Sequence, residues 1–178
     1  MLIPRTQAPA LNILTVAHGP FELAREAPGY LTLVSFYRGL HCPICAVHLK
    51  ELERLTPAFA ERGVKTIAVS SDSETRARQM ADKVGAGALR IGYGLPLATA
   101  RAWGLYLSAS KGETSIGIEE PAIFSEPGLF LIRPDTSVYY ASVQSMPFAR
   151  PAFPDLLKAL DFTIEHAYPA RGEYVGAA

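Results

Sequence analysis

Cys42 and Cys45 are the two cysteines of the chain, and they lie three residues apart in the segment HCPICAVH, residues 41–48. A histidine stands on each side of the pair. Residues of these types at this spacing are compatible with a metal clip, a haem attachment, a redox couple or two inert core thiols.

Two of these alternatives depend on further residues that the sequence lacks. Haem attachment needs a histidine directly after the second cysteine, where this chain has Ala46. A structural zinc site usually takes its four ligands from two separated pairs, and the sequence contains no second CxxC and no HxxxH. We therefore predict no metal and no cofactor, and we favour redox chemistry over inert core cysteines, which stay an alternative.

The elements around the cysteines are predicted to activate them. Residues 30–37, YLTLVSFY, are mostly apolar, β-branched or aromatic, which is typical of a strand buried on both faces. Pro43 suits the first turn of a following helix, so both cysteines lie near a helix N-terminus, where free N–H groups and the helix dipole lower a thiol pKa. Cys45 begins an apolar stripe that Leu49 continues, so we expect Cys45 to face inward and Cys42 to be the more exposed of the two.

The rest of the chain alternates apolar runs with amphipathic ones, which predicts the α/β class. A strand at 64–71 after the first helix indicates a right-handed crossover between parallel strands. The further predicted elements are a helix over 74–84, a strand in 88–94, a short helix in 97–106, a hairpin in 128–143 and an amphipathic helix in 153–167. Residues 107–126 show no clear pattern.

Length and composition narrow the class of protein. The 178 residues predict one domain, residues 1–178, with a loosely held tail at 169–178. Seventeen basic residues balance seventeen acidic ones, so we expect no nucleic-acid partner. No apolar run approaches the roughly 20 residues of a membrane-spanning helix, and the N-terminus lacks the apolar core of a secretory signal, so we expect a soluble, cytoplasmic protein with no membrane partner.

The segment VSFYRGLHCPICAVHLKEL, residues 34–52, resembles the active-site strand, loop and helix of the thioredoxin superfamily, and most closely its peroxiredoxin-like branch, the alkyl hydroperoxide reductase and thiol-specific antioxidant proteins. The order of elements fits over about 30–166, and residues 1–28 resemble the extra N-terminal β extension of peroxiredoxins. The resemblance implies a thioredoxin-like fold with a central mixed sheet flanked by helices. It also implies thiol chemistry on peroxides or disulfides, with thioredoxin or glutathione as electron donor, and a homodimer is compatible with it.

The resemblance mixes two patterns. The peroxiredoxin series of a proline, a threonine and a peroxidatic cysteine falls on Arg38, Cys42 and Cys45, and only the last is kept. The family's peroxide-activating arginine falls on Pro127, which instead resembles the cis-proline that faces the CxxC of thioredoxins. A peroxidase of this family would attack with Cys45, whereas a thioredoxin-like reductase would attack with Cys42 and keep Cys45 to resolve the mixed disulfide.

We therefore interpret the chain as a thiol-dependent antioxidant oxidoreductase that reduces peroxides through a Cys42/Cys45 dithiol and disulfide cycle. A thioredoxin-like disulfide reductase and a non-catalytic redox-sensing or adaptor protein stay as alternatives. For small peroxides we predict attack by Cys45, and for protein disulfides attack by Cys42.

Five neighbours of the pair have both a functional and a structural interpretation. Arg38 either stabilises a thiolate or peroxide oxygen or is solvated, and His41 could tune Cys42 electrostatically. Pro43 shapes the first helical turn, and Pro127 either faces the cysteines or belongs to an ordinary turn. His48 is predicted to be helix surface or packing.

Overall fold

The computed structural model describes residues 2–177, in which nine strands and four α-helices follow one another along the chain. The strands are β1 (Asn12–Thr15), β2 (Pro20–Glu22), β3 (Leu31–Phe36), β4 (Val64–Val69), β5 (Arg90–Tyr93), β6 (Leu107–Ala109), β7 (Ile123–Ser125), β8 (Gly128–Ile132) and β9 (Val138–Val143). The helices are α1 (Pro43–Glu61), α2 (Glu74–Val84), α3 (Leu97–Ala102) and α4 (Phe153–Glu165), with a short 3-10 turn at Leu23–Arg25.

Seven strands form one mixed sheet in the order β2-β1-β5-β4-β3-β8-β9. Strands β3, β4 and β5 run parallel, and β1, β2, β8 and β9 pair in antiparallel fashion. All six residues of β3 are buried, because this strand lies inside the sheet and both its faces are covered. The predicted fold class, a thioredoxin-like α/β fold with a central mixed sheet flanked by helices, is confirmed.

Two apolar cores lie on opposite faces of this sheet. One core packs α1, α2 and α4 against residues such as Leu31 and Leu33, and it includes both cysteines. The other packs α3 and the N-terminal segment against Val34 and Phe36. The alternation of β3 side chains between the two cores follows from the two-residue period of a strand. The next helix in the chain, α1, begins seven residues after the end of β3.

Residues 107–126, here called the ribbon, were the part that the sequence left unassigned. They form a separate two-stranded antiparallel pair of β6 and β7, in which Leu107 pairs with Ser125 and Ala109 with Ile123. Three-residue strands are too short to show a clear alternation in sequence. Their placement therefore depends on contacts with the rest of the molecule.

The C-terminal segment packs on the body of the protein. Ala170 is buried, and its carbonyl oxygen accepts a hydrogen bond from Arg5 Nε at 3.1 Å. Arg5 also pairs with Glu173 at 3.2 Å, and the Tyr139 hydroxyl donates to the carbonyl oxygen of Tyr168 at 2.8 Å. These contacts reach Ala170 and Glu173 of the predicted tail at 169–178, whereas Tyr174 and Val175 are exposed, so the loosely held tail stays a prediction.

Between residues 2 and 177, none of the helices combines the length and the apolar character that crossing a bilayer would require.

Candidate active site

The loop from β3 to α1 has a backbone conformation that only glycine tolerates well. Gly39 has φ +139°, and a Cβ at this position would lie 2.8 Å from Asp72 Oδ2. The missing side chain lets the buried Asp72 carboxylate accept a hydrogen bond from the Leu40 N–H at 2.7 Å. The other oxygen, Asp72 Oδ1, accepts from Arg76 Nε at 2.8 Å. This interaction holds the chain just before the cysteines.

Cys42 is the N-cap residue of α1, with Pro43 in the first turn as the sequence predicted. Its Sγ accepts a hydrogen bond from the Cys45 backbone N–H at 3.3 Å. Both thiols are reduced and buried, with 1% of Cys42 and 0% of Cys45 exposed. Cys45 faces inward as predicted, but Cys42, predicted to be the more exposed of the two, is buried almost as completely, because a segment from the C-terminal part of the chain covers the cap.

That segment brings Arg150 to both sulfur atoms. Arg150 Nη2 lies 3.0 Å from Cys45 Sγ and 4.0 Å from Cys42 Sγ. Its Nε donates to the carbonyl oxygen of Pro147 at 2.9 Å, which fixes the guanidinium group. Sequence reasoning missed this arginine, since it lies 105 positions from Cys45 and no local motif marks it.

The two thiols differ in ionisation. A hydrogen bond from the Cys45 thiol, the Cys45 backbone N–H and the charges of Arg150 and Arg38 outweigh burial and lower the pKa of Cys42 to about 6. Burial raises the pKa of Cys45 well above its ordinary value, and the neighbouring Cys42 raises it further. The hydrogen bonds and burial of the pair therefore favour the ionised form at Cys42 over the ionised form at Cys45.

Arg38 does not contact the sulfurs through its hydrogen bonds. Its guanidinium pairs with Glu120 at 3.2 Å and with Glu126 at 3.3 Å, and it lies over the ring of Phe124 at 4.7 Å. The Arg38 side chain is 16% exposed, so the solvated interpretation does not apply. The charge of Arg38 contributes to the lowered pKa of Cys42, and its two ion pairs link the loop before α1 to the ribbon.

His41 is buried between charged and aromatic groups. Its Nδ1 lies 3.4 Å from Arg76 Nη2, and its ring packs against Phe124 with centroids 4.6 Å apart. Burial and the charge of Arg38 lower the pKa of His41 to about 4. The imidazole is therefore neutral at pH 7 and gives Cys42 no positive charge.

The contacts described here for Pro127 and His48 are with groups other than the cysteine sulfurs. Pro127 is buried and its carbonyl oxygen accepts from the Gln144 N–H at 3.0 Å. All peptide bonds of residues 2–177 are trans, so the prediction that Pro127 resembles the cis-proline of thioredoxins is wrong in this respect. His48 stacks on Phe153 with centroids 4.2 Å apart, in agreement with the packing interpretation.

Within residues 2–177, no group of three or more His, Cys, Asp or Glu side chains could hold a metal ion. The chemistry that the described residues can perform is that of a buried thiolate beside a thiol and a guanidinium. Such a group is a nucleophile toward an electrophilic oxygen or sulfur atom.

The sequence and the fold match a known class of proteins. Residues 4–141 match the family model described as the AhpC/TSA family. Since the match covers well over half of the chain, the chain belongs to this family, and the resemblance to the peroxiredoxin-like branch is confirmed. No curated protein matches the sequence.

Solved structures of peroxiredoxins share the fold. A mutant of peroxiredoxin 6 of Arenicola marina superposes with a TM-score of 0.72 at 17% identity, over 94% of this chain and 76% of that one. Peroxidoxin BcpB of Mycobacterium tuberculosis superposes with a TM-score of 0.70 at 17% identity, over 92% of this chain and 99% of that one. AhpC of Enterococcus faecalis superposes with a TM-score of 0.71 at 16% identity, over 96% of this chain and 99% of that one. At such low identity the likeness shows the fold.

Proposed function

We propose that this chain is a thiol peroxidase that reduces peroxides by cycling between the Cys42/Cys45 dithiol and its disulfide. The observation that carries the proposal is the buried pair of thiols at the N-terminus of α1, where Cys42 Sγ accepts from the Cys45 N–H and Arg150 Nη2 lies within 4.0 Å of both sulfurs. Membership of the AhpC/TSA family supports the same class of reaction.

In the first step the Cys42 thiolate attacks the terminal oxygen of a hydroperoxide. A sulfur–oxygen bond forms, the oxygen–oxygen bond breaks, and the departing alkoxide takes a proton to leave as an alcohol, or as water from hydrogen peroxide. Arg150, whose Nη2 lies within 4.0 Å of both sulfurs, is placed to stabilise the negative charge that develops on the oxygens. The sulfur becomes a sulfenic acid.

In the second step Cys45 resolves the sulfenic acid. Its sulfur, after losing a proton, attacks the sulfur of Cys42, a disulfide bond forms, and hydroxide leaves as water. Two thiols and one hydroperoxide have then given one disulfide, one alcohol and one water. An external thiol reductant, with thioredoxin or glutathione as the proposed donors, returns the dithiol.

The attack by Cys42 differs from the assignment of peroxide attack to Cys45, which the spacing of the family motif predicted. We base the new assignment on ionisation, since the pKa of Cys42 is about 6 while burial raises that of Cys45. The thiolate is the attacking species. Attack by Cys45 stays the alternative that the following experiment distinguishes.

The test combines turnover with trapping. The wild-type protein is expected to consume peroxide with thioredoxin or glutathione as donor and to form the Cys42–Cys45 disulfide, which peptide mass spectrometry detects. In Cys45→Ser a serine hydroxyl still donates to Cys42, so dimedone should label a sulfenic acid on Cys42 after peroxide treatment. Cys42→Ser should react far more slowly. The reverse labelling pattern would assign the attack to Cys45, and a wild type without peroxide turnover would refute the peroxidase.

The disulfide reductase alternative is less favoured, because both sulfurs are buried and a protein disulfide needs an exposed one. Insulin reduction measures this activity directly. If the protein turns over neither peroxide nor insulin, the redox-sensing or adaptor function is the remaining proposal. Cytoplasmic location and a homodimer also stay proposals, and size-exclusion chromatography with light scattering tests the second.

A further inference from the structure

Residues 144–152, here called the arginine loop, connect β9 to α4 and carry Arg150. Ala149, directly before Arg150, has φ +52°, in the left-handed region that is unfavourable for a residue with a Cβ. A strained backbone of this kind persists only where neighbouring groups hold it. Contacts with α1 hold the arginine loop near the sulfurs.

Within residues 2–177, side-chain hydrogen bonds link α1 to the arginine loop at two places. One is the contact of Arg150 with the cysteine sulfurs, and the other joins His48 Nε2 to the carbonyl oxygen of Pro151 at 3.3 Å. Pro151 is the next residue after Arg150, so the second link restrains the backbone one residue away from the one that carries the guanidinium group.

The His48 ring is itself well oriented. It stacks on Phe153 at an interplanar angle of 30°, and Phe153 is fully buried with its edge against Phe59. Burial and the charge of Arg150 lower the pKa of His48 to about 4, so the ring is neutral at pH 7. Because the Pro151 carbonyl can only accept, Nε2 carries the hydrogen, and Nδ1 has no partner among the described residues.

We propose that His48 is a positioning residue for the thiol chemistry, which holds the Pro151 carbonyl by a hydrogen bond and a ring stack so that Arg150 stays within reach of both sulfurs. The inference deepens the proposed function and rests on it for its catalytic meaning. Its direct consequence is the ionisation of Cys42, which is measured without any peroxide. A failure of one proposal is therefore distinguishable from a failure of the other.

The test separates the hydrogen bond of His48 from its packing. His48→Phe keeps a ring against Phe153 and loses the N–H donor, whereas His48→Gln places an amide N–H near the former Nε2. The ultraviolet absorbance of the thiolate, followed against pH, reports the pKa of Cys42. At a pH near 6, we expect His48→Phe to lower the thiolate fraction at least about twofold and His48→Gln to retain it. His18→Phe is the matched control, since His18 Nε2 also lies near a backbone carbonyl, that of Gly87, at 3.2 Å.

A double-mutant cycle with Arg150→Gln tests whether His48 acts through the arginine. If it does, His48→Phe should change the thiolate fraction little further once Arg150 is replaced. Full additivity of the two changes, or an unaltered Cys42 titration in His48→Phe, would overturn the proposal. Thermal unfolding checks that each variant folds, and His48→Leu takes the place of His48→Phe if the latter does not.

Discussion

Cys42 and Cys45 carry the same thiol group, but their nearest partners shift the two pKa values in opposite directions. Cys42 at the helix cap accepts from the N–H and the thiol of Cys45, and these bonds favour its ionised form. Cys45 lies one turn deeper, where burial disfavours a charge. The proposed function uses this difference, with Cys42 as the nucleophile and Cys45 as the resolving thiol.

At the same scale, Arg150→Gln is expected to weaken the Cys42 thiolate. The guanidinium charge lies 4.0 Å from Cys42 Sγ, and removing an opposite charge at such a distance raises a thiol pKa. We expect the rate of alkylation of Cys42 by iodoacetamide near pH 6 to fall roughly threefold to tenfold. Arg101→Gln, which alters an exposed arginine of α3, should leave the rate unchanged. Equal rates in wild type and Arg150→Gln would show that Arg150 does not stabilise the Cys42 thiolate.

Among the elements, the loop between β3 and α1 depends on one glycine. In Gly39→Ala the new Cβ would lie 2.8 Å from Asp72 Oδ2 and 3.0 Å from His41 Nδ1, in a backbone conformation that alanine disfavours. We expect the free energy of unfolding, measured by urea denaturation, to fall by about 3 kcal/mol or more.

Gly19→Ala is the matched control for this experiment. Gly19 also has a positive φ, +72°, but a Cβ there meets nothing within 4 Å. Its cost should be the left-handed backbone alone, about 1 kcal/mol. If both variants lose the same stability, the close contact with Asp72 is not what requires glycine at position 39.

The ribbon is expected to depend on Arg38. Glu120 and Glu126 are nearly buried, with 8% and 4% of their side chains exposed, and Arg38 is their cationic partner. Arg38→Gln leaves both carboxylates without that charge, at a cost of about 3 kcal/mol for a buried pair that loses one partner. We expect the ribbon to open and trypsin to cleave after the exposed Lys111 at least about tenfold faster.

Arg78→Gln provides the control for the proteolysis. Arg78 pairs with Glu74 on the surface of α2, where both side chains are about half exposed, and such pairs contribute about 1 kcal/mol or less. Cleavage after Lys111 should keep its wild-type rate in this variant. Unchanged cleavage in Arg38→Gln as well would mean that other contacts hold the ribbon.

For the whole molecule, stability is expected to fall as the pH falls from about 7 to about 5. His41 and His48 have pKa values of about 4 in the folded protein, below the ordinary 6.5, so the unfolded chain binds their protons first. Each histidine then contributes a loss of about 2 kcal/mol at about pH 5. Protonation of the Cys42 thiolate acts in the same direction, whereas Asp72, whose pKa is raised by burial, opposes it.

Urea denaturation at the two pH values measures this loss of stability. His48→Phe removes one of the two histidines, so its unfolding free energy should depend less on pH than that of the wild type, by about 2 kcal/mol over the same range. Parallel pH profiles for the wild type and His48→Phe would show that His48 is protonated as readily in the folded as in the unfolded state.

The local sequence alone determined the α/β class, the strand before the cysteines, the helix that begins at Pro43 and the pairing of two thiols at its N-terminus. These features depend on apolar periodicity, on the fixed φ of proline and on a spacing of three residues, and each of these is visible in a short segment. The inward direction of Cys45 followed from the same periodicity.

Only the tertiary structure decided which groups surround the two thiols and favour ionisation of Cys42, and how both sulfurs are covered. Arg150 is 105 positions from Cys45 in the sequence, and Glu120 is 82 positions from Arg38, yet each pair is in contact in the folded protein. The burial of Cys42, the neutrality of His41 and the docking of the C-terminal segment likewise depend on such distant partners. A thiol's pKa is set by charges, hydrogen bonds and solvent within a few ångströms in space, and distance along the chain does not reveal which groups the fold brings there.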